Sequence, residues 1–148
     1  MLKKFIIGDL IAAILIIAEI IILNLFIEKI GTVVYILLDL LLIILILFIT
    51  NFLLNKGSTT KKCIINAIVL VVLYIAINGA YEKTSYGVRL NETLNENAVI
   101  DEEVDNANNN LEVSFYDADT SSQVINYGFY FVIAFLGGKL GIKNRKMI

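Results

Sequence analysis

Long apolar runs divide the chain into four parts, separated by short or acidic segments. The runs cover residues 5–27, 33–54, 63–81 and 124–142. A helix needs roughly 20 mostly apolar residues to cross about 30 Å of hydrocarbon. Because an isolated span must satisfy its own backbone hydrogen bonds, each run is predicted to be a helix. The pattern therefore predicts an all-α membrane protein, in which residues 1–148 form a single membrane domain.

The first run has the position of a secretory signal peptide but differs from one in detail. It is longer than a typical signal core, and Asp9 interrupts it. No small-residue cleavage site follows a core of the usual length. The run is therefore predicted to remain as the first membrane span.

Basic residues are divided unequally between the two sides of the predicted membrane. Nine lie on the side of the termini and of the connection at residues 55–62, and three lie on the other side. Cytoplasmic segments of membrane proteins carry the excess of Lys and Arg. We therefore expect a multi-pass protein of the cell membrane with both termini in the cytoplasm.

Residues 82–123 form the one long connection, which is expected outside the cell. They hold ten carboxylates against two cations. The middle is too polar to form a core and is expected to be mobile. Alternating residues at 111–120 predict a short strand, paired with residues 86–90. The carboxylates that we expect to contact a basic partner protein are Asp101, Glu102, Glu103, Asp105, Asp117 and Asp119.

Each predicted helix collects its polar and small residues on one face, since successive residues are about 100° apart. The other positions are nearly all Ile, Leu, Val and Phe. Four such helices are expected to form an antiparallel bundle with the polar faces inward. The face residues are Gly8, Asp9, Ala12, Ala13, Glu19 and Asn24 in the first helix, Thr32, Tyr35, Asp39 and Thr50 in the second, Asn66, Ala67, Tyr74 and Asn78 in the third, and Asn126, Tyr130, Ala134, Gly137 and Gly141 in the fourth.

Two acidic residues are expected at the same depth in the membrane. Glu19 and Asp39 are equally far along the chain from the middle of the short turn between the first two spans. Counting along the helices places them in the outer half of the bilayer. The same counting predicts an intramembrane polar layer without a cation, composed of Glu19, Asp39, Tyr74, Asn78, Asn126 and Tyr130.

The acidic residues of this layer need a physical reason, because one near the bilayer centre costs at least about 2.5 kcal/mol. Three interpretations stay open. Both carboxyl groups are protonated and hold the helices together through hydrogen bonds. The pair binds a proton or a cation, since adjacent carboxyl groups titrate together. A membrane helix of a partner protein supplies a Lys or an Arg.

Small residues in the fourth span permit close packing against another helix. Gly137 and Gly141 are four residues apart, as are Ala134 and Gly138, which is the small-x-x-x-small pattern. Basic residues follow directly, so a flexible helix end accounts for the glycines equally well.

Other signals are weaker. Asp9 and Lys139 can pair near the cytoplasmic face or separately reach water. Residues 91–93 form a glycosylation sequon, which matters only in a eukaryotic secretory pathway. The acidic residues at 101–105 lack the spacing and the glycine of a calcium-binding EF-hand loop, so no metal site is predicted. Cys63 fits a buried inert thiol better than a palmitoylation site.

Composition narrows the chemistry further. The chain is 58% hydrophobic, against about 45–50% in soluble domains. It has no His, and hence neither the usual proton acceptor near neutral pH nor an imidazole metal ligand. The one cysteine cannot form an internal disulfide. These features weigh against an enzyme, and no cofactor or nucleic-acid partner is predicted.

In size and number of spans the chain is similar to small bacterial membrane proteins such as immunity proteins against pore-forming bacteriocins and accessory subunits of larger complexes. This similarity implies a non-enzymatic interaction protein in the lipid bilayer, with a membrane or basic protein as partner, and it is compatible with an oligomer. The alternative is a small ion- or proton-coupled transporter or channel subunit that uses Glu19 and Asp39.

Overall fold

The computed structural model describes residues 2–90, residue 92 and residues 120–143. These ranges contain four long helices and no strand. All four helices are long and apolar enough to cross a membrane. Each predicted span is thus a helix, longer by a few residues than predicted at one or both ends. The helices are α1 (Leu2–Ile30), α2 (Thr32–Leu54), α3 (Thr60–Glu82) and α4 (Thr120–Lys143).

Glycines form the two tight connections. Gly31 alone separates α1 from α2, with φ 69° and ψ 158°, a conformation that is essentially restricted to glycine. Gly57, with φ 74°, lies in the connection from α2 to α3. A residue with a Cβ atom would be strained at either position. We call the two ends of the helix packing the Gly31 end and the Gly57 end.

Helix α2 lies at the centre of the packing. It contacts α1, α3 and α4, and α3 in turn contacts α1 and α4. Within the described residues α1 and α4 do not touch. They therefore lie on opposite sides of the α2–α3 pair, and α2 contributes to every part of the interior.

The interior contains large aliphatic side chains as well as the predicted small and polar ones. Ile16, Ile43, Leu47 and Leu70 are fully buried between the helices. The outward faces are dominated by exposed Ile, Leu and Val, which suits contact with lipid. Because lipid tails are as apolar as these side chains, the helices associate through close packing and hydrogen bonds rather than through the hydrophobic effect.

The predicted strand at residues 86–90 is wrong, because residues 85–90 are helical. Thr84 begins this segment, and its Oγ1 accepts a hydrogen bond from the N–H of Gly87 at 3.1 Å. That contact is the usual N-terminal cap of a helix. A helical turn also satisfies its own backbone without a second strand. The predicted partner strand falls on residues 111–119, which lie outside the described residues.

The helical segment at residues 85–90 folds back against the Gly31 end. Its last residue, Leu90, is buried and packs with Leu23 of α1 and Tyr35 of α2. Burial of Leu90 therefore adds to the Thr84 cap in favouring the helical conformation, and the segment covers the ends of α1 and α2.

Candidate functional site

The two acidic residues of the predicted layer lie against each other. Glu19 on α1 and Asp39 on α2 interact through their carboxyl groups. The one-residue turn at Gly31 starts α2 directly beside the end of α1, although Glu19 lies twelve residues before this glycine and Asp39 lies eight residues after it. We call Glu19 and Asp39 the acidic pair.

The acidic pair is buried and incompletely hydrogen bonded. The Glu19 side chain is only 5% exposed, and Asp39 is half-buried. Apart from the contact with the Asp39 carboxyl group, neither carboxyl oxygen of Glu19 has a hydrogen-bond partner among the described residues. Buried polar groups in proteins are nearly always hydrogen bonded. Glu19 thus has acceptor capacity that the surrounding helices leave unused.

Two tyrosines complete this part of the layer. Tyr74 on α3 and Tyr130 on α4 are buried, with ring centroids 5.3 Å apart and ring planes at 81°. Both phenols interact electrostatically with the acidic pair. Each of the four helices therefore contributes one polar side chain at this level.

The two amides of the predicted layer lie elsewhere. Asn78 donates a hydrogen bond to Glu82 Oε1 at 2.9 Å, one turn further along the same exposed side of α3. Asn126 is exposed, as are its neighbours at residues 123–125. The first turns of α4 thus lie away from the packed helices, which the helical wheel does not show. The layer consists of two carboxyl groups and two phenols.

The Gly31 end of the site is covered by apolar side chains. Leu23 and Tyr35 lie one helical turn from Glu19 and Asp39, on the Gly31 side, and Leu90 packs between them. Nearby, Asn24 and Tyr81 tie α1 to α3 through a hydrogen bond of 2.8 Å from Asn24 Nδ2 to the Tyr81 hydroxyl. The acidic pair is thereby separated from the Gly31 end.

A second polar group lies toward the Gly57 end and was not among the predicted site residues. Asn51 donates to the carbonyl oxygen of Ala134 at 2.6 Å. Asn55 donates to Asn51 Oδ1 at 2.7 Å, and Asn66 donates to Asn55 Oδ1 at 3.2 Å. These three asparagines, all buried, form what we call the amide cluster, which joins α2, α3 and α4. Asn51 and Asn55 lie four residues apart, in the last turn of α2 and at its C-cap, but this spacing alone does not show which helices they contact.

The glycines of α4 lie where this helix packs against α2. A Cβ atom at Gly137 would collide with the backbone carbonyl of Phe48, and one at Gly141 would collide with that of Phe52. A Cβ atom at Gly138 would meet the Cys63 sulfur and come within 2.6 Å of Asn51 Nδ2. Buried Ala134 continues this face of α4. The small-x-x-x-small residues thus lie in close contact with α2 and α3.

The remaining predicted residues do not join the site. Lys139 lies over the Phe135 ring, with Nζ 5.8 Å from its centroid. Asp9 does not pair with it, since α1 and α4 are not in contact within the described residues. The Cys63 thiol is buried and donates to the Phe135 carbonyl oxygen at 3.6 Å. The acidic residues of the predicted partner-binding segment lie outside the described residues, namely Asp101, Glu102, Glu103, Asp105, Asp117 and Asp119.

Chemically, the layer offers carboxyl oxygens as acceptors and phenol hydroxyl groups as donors. No grouping of three or more His, Cys, Asp or Glu side chains suited to a metal ion occurs in the described part of the chain. Comparison of the chain with protein-family models, with curated proteins and with solved structures finds no match.

Proposed function

We propose that this chain is a small ion- or proton-coupled transporter or channel subunit, which binds a proton or a cation at the acidic pair. The observation that carries the proposal is the state of Glu19, which is buried beside the Asp39 carboxyl group and has no other hydrogen-bond partner within the described residues. Intramembrane acidic residues that face a protein interior commonly mark ion and proton pathways.

A purely structural role for the acidic pair, or a role in binding a partner's basic side chain, has less support. A pair kept only to hold the helices together should also be hydrogen bonded to its other neighbours, yet within the described residues Glu19 has a hydrogen-bond partner only in Asp39. A Lys or Arg from a partner's helix could approach Asp39, which is half-buried, but not Glu19, which is only 5% exposed. A proton needs no cavity and can be held between the two side chains.

The proposed arrangement is an antiparallel four-helix bundle in the cell membrane, with both termini and the Gly57 end in the cytoplasm. The support is the distribution of nine basic residues on that side against three on the other. Reporter fusions at residue 58 and at the C-terminus should then read as cytoplasmic, and one at residue 105 as external. An external C-terminus would contradict this arrangement.

Flux measurements in liposomes test the function. The reconstituted wild type should move protons or cations down an imposed gradient, and Glu19→Gln with Asp39→Asn should abolish this flux. The amides keep the shape of a protonated carboxyl group but cannot release a proton. Asp9→Asn is the matched control, because it removes a carboxyl group from the same helix outside the site. Wild-type flux equal to that of empty liposomes would refute the proposal.

A second candidate function is protein–protein interaction, as an accessory subunit or an immunity-like protein. Its support is the excess of ten carboxylates over two cations at residues 82–123, a charge suited to a basic partner. Deletion of residues 95–110 removes much of this charge without shortening a helix. Activity lost on this deletion but kept in the amide double variant would favour interaction, and the reverse result would favour transport.

A further inference from the structure

The charge around the acidic pair constrains what it can bind. Its immediate neighbours come from all four helices: Glu19 from α1, Asp39 from α2, Tyr74 from α3 and Tyr130 from α4, with Tyr127 acting on Tyr130 from one turn away. No basic side chain of the described residues contributes to the electrostatics of either carboxyl group. Two ionised carboxylates at this place would repel each other in a medium of low dielectric constant.

The site offers a metal ion only side-chain oxygen atoms, which come from the two carboxyl groups and the two phenols. Calcium takes about six to eight oxygen ligands, and magnesium requires near-octahedral coordination. Intramembrane cation sites in transporters gain ligands from interrupted helices, whose carbonyl groups are free. Here residues 19, 39, 74 and 130 lie within continuous helices, so the local carbonyl groups are used in helical hydrogen bonds.

A single proton fits the arrangement of the two adjacent carboxyl groups. Placed between the two carboxyl groups, it provides the donor that the hydrogen bond between Glu19 and Asp39 requires, since two ionised carboxylates are both acceptors. It also reduces the charge from two to one. The hydroxyl groups of Tyr74 and Tyr130 are hydrogen bonded to each other, so that one hydroxyl hydrogen of the two can turn toward the remaining negative charge. We propose that the acidic pair holds one shared proton, stabilised by these two hydroxyl groups, and that it binds no metal cation. This inference rests on the proposed function and specifies its ligand.

Infrared spectroscopy of the chain in lipid at neutral pH detects such a proton directly. The comparison is between Asp9→Asn and the triple variant that adds Glu19→Gln and Asp39→Asn, so that Asp9 contributes to neither spectrum. The difference should contain the carbonyl band of a protonated carboxylic acid, shifted in D₂O. Absence of this band would overturn the inference. If the triple variant does not fold, Glu19→Gln in the Asp9→Asn background replaces it with the same expectation.

Thermal unfolding separates the proton from a metal ion. Removing the shared proton leaves two negative charges side by side, so wild-type Tm should fall more steeply with rising pH than that of Glu19→Gln/Asp39→Asn. Replacing choline in the buffer with Na⁺, or adding Ca²⁺, should not change the difference in Tm between the two proteins. Stabilisation of the wild type alone by either cation would overturn the inference while leaving the proposed function intact. If neither pH nor cations distinguish the two proteins, both proposals fail.

Discussion

The amide cluster and the acidic pair differ in how their buried polar side chains are hydrogen bonded. The amide cluster satisfies its buried side chains within the protein, since Asn51, Asn55 and Asn66 donate along a chain that ends at the Ala134 carbonyl oxygen. The Glu19 carboxyl group has no partner among the described residues other than that of Asp39. Both groups join helices, but only the amide cluster supplies donors as well as acceptors from its own side chains.

The difference follows from the chemistry of the side chains. An amide carries donors and acceptors and is neutral, so asparagines can satisfy each other in a dry interior. An ionised carboxyl group has acceptors only, so two of them need a proton, a cation or an outside donor. We therefore infer that the amide cluster serves stability and the acidic pair serves function.

The largest loss of stability is expected for a substitution where the backbones of α2 and α4 are in contact. Gly137→Leu would drive a side chain into the backbone at Phe48, and backbone cannot move aside as a side chain can. We expect a loss of about 3 kcal/mol or more, or failure to fold. Gly128→Leu is the matched control on the same helix, since no atom lies within 4 Å of a Cβ atom there. Chemical unfolding of the purified proteins gives the comparison, and equal stability would contradict the packing of α4 on α2.

Some features of the structure can be predicted from the sequence and others cannot, depending on the sequence pattern that determines them. Hydropathy locates all four helices, because crossing lipid demands long apolar runs. The short turn predicts that Glu19 and Asp39 lie close together, and the structure does bring them together, although its turn at Gly31 is four residues nearer to Asp39 than to Glu19. The role of the pair stays a prediction. The strand predicted at residues 86–90 is wrong, since the alternation of a few residues is a weaker determinant than the Thr84 cap and the burial of Leu90.

Other features were not accessible from the sequence. Ile16 and Leu47 are buried, yet nothing in their chemistry distinguishes them from lipid-facing residues, because lipid and protein interior are equally apolar. The amide cluster depends on which faces of α2, α3 and α4 meet, and helical wheels do not give that. Asn126 shares a wheel face with Tyr130 but is exposed, since the packing of α4 begins only further along the helix.

An intermediate loss of stability is expected for a substitution in the amide cluster. Asn51→Leu removes the donor to the Ala134 carbonyl oxygen and the acceptor of Asn55. Hydrogen bonds between membrane helices contribute about 0.6–1.7 kcal/mol, so a loss of about 1–2 kcal/mol is expected. Asn126→Leu is the control because Asn126 is exposed, and it should be neutral.

The same variant tests the division between stability and function. Asn51→Leu should lower stability while keeping any ion-dependent activity. Glu19→Gln should lose this activity while keeping stability. Unfolding and liposome flux, measured on the same preparations, decide this. Loss of flux in Asn51→Leu at a temperature where it stays folded would remove the contrast between the two groups.

The smallest effect on stability is expected at the cover of the acidic pair. Leu90→Ala weakens the contact with Leu23 and Tyr35, but the segment at residues 85–90 can detach while the long helices remain packed. We therefore expect a loss of about 1 kcal/mol or less, below the range for Leu→Ala in a rigid core. Val88→Ala, on the same segment but with Val88 49% exposed, is the matched control and should be neutral.

Leu90→Ala should nevertheless change access to the site. In a Cys63→Ser background, a cysteine introduced as Glu19→Cys can be labelled by a water-soluble thiol reagent. Labelling should be faster with Leu90→Ala than with Val88→Ala, because Leu90 covers the Gly31 end of the site. The amide cluster should respond to neither change, since it lies on the opposite side of the acidic pair. Equal labelling rates would show that water reaches position 19 by another route. The apolar cover at the Gly31 end would then not control the access of water to the acidic pair.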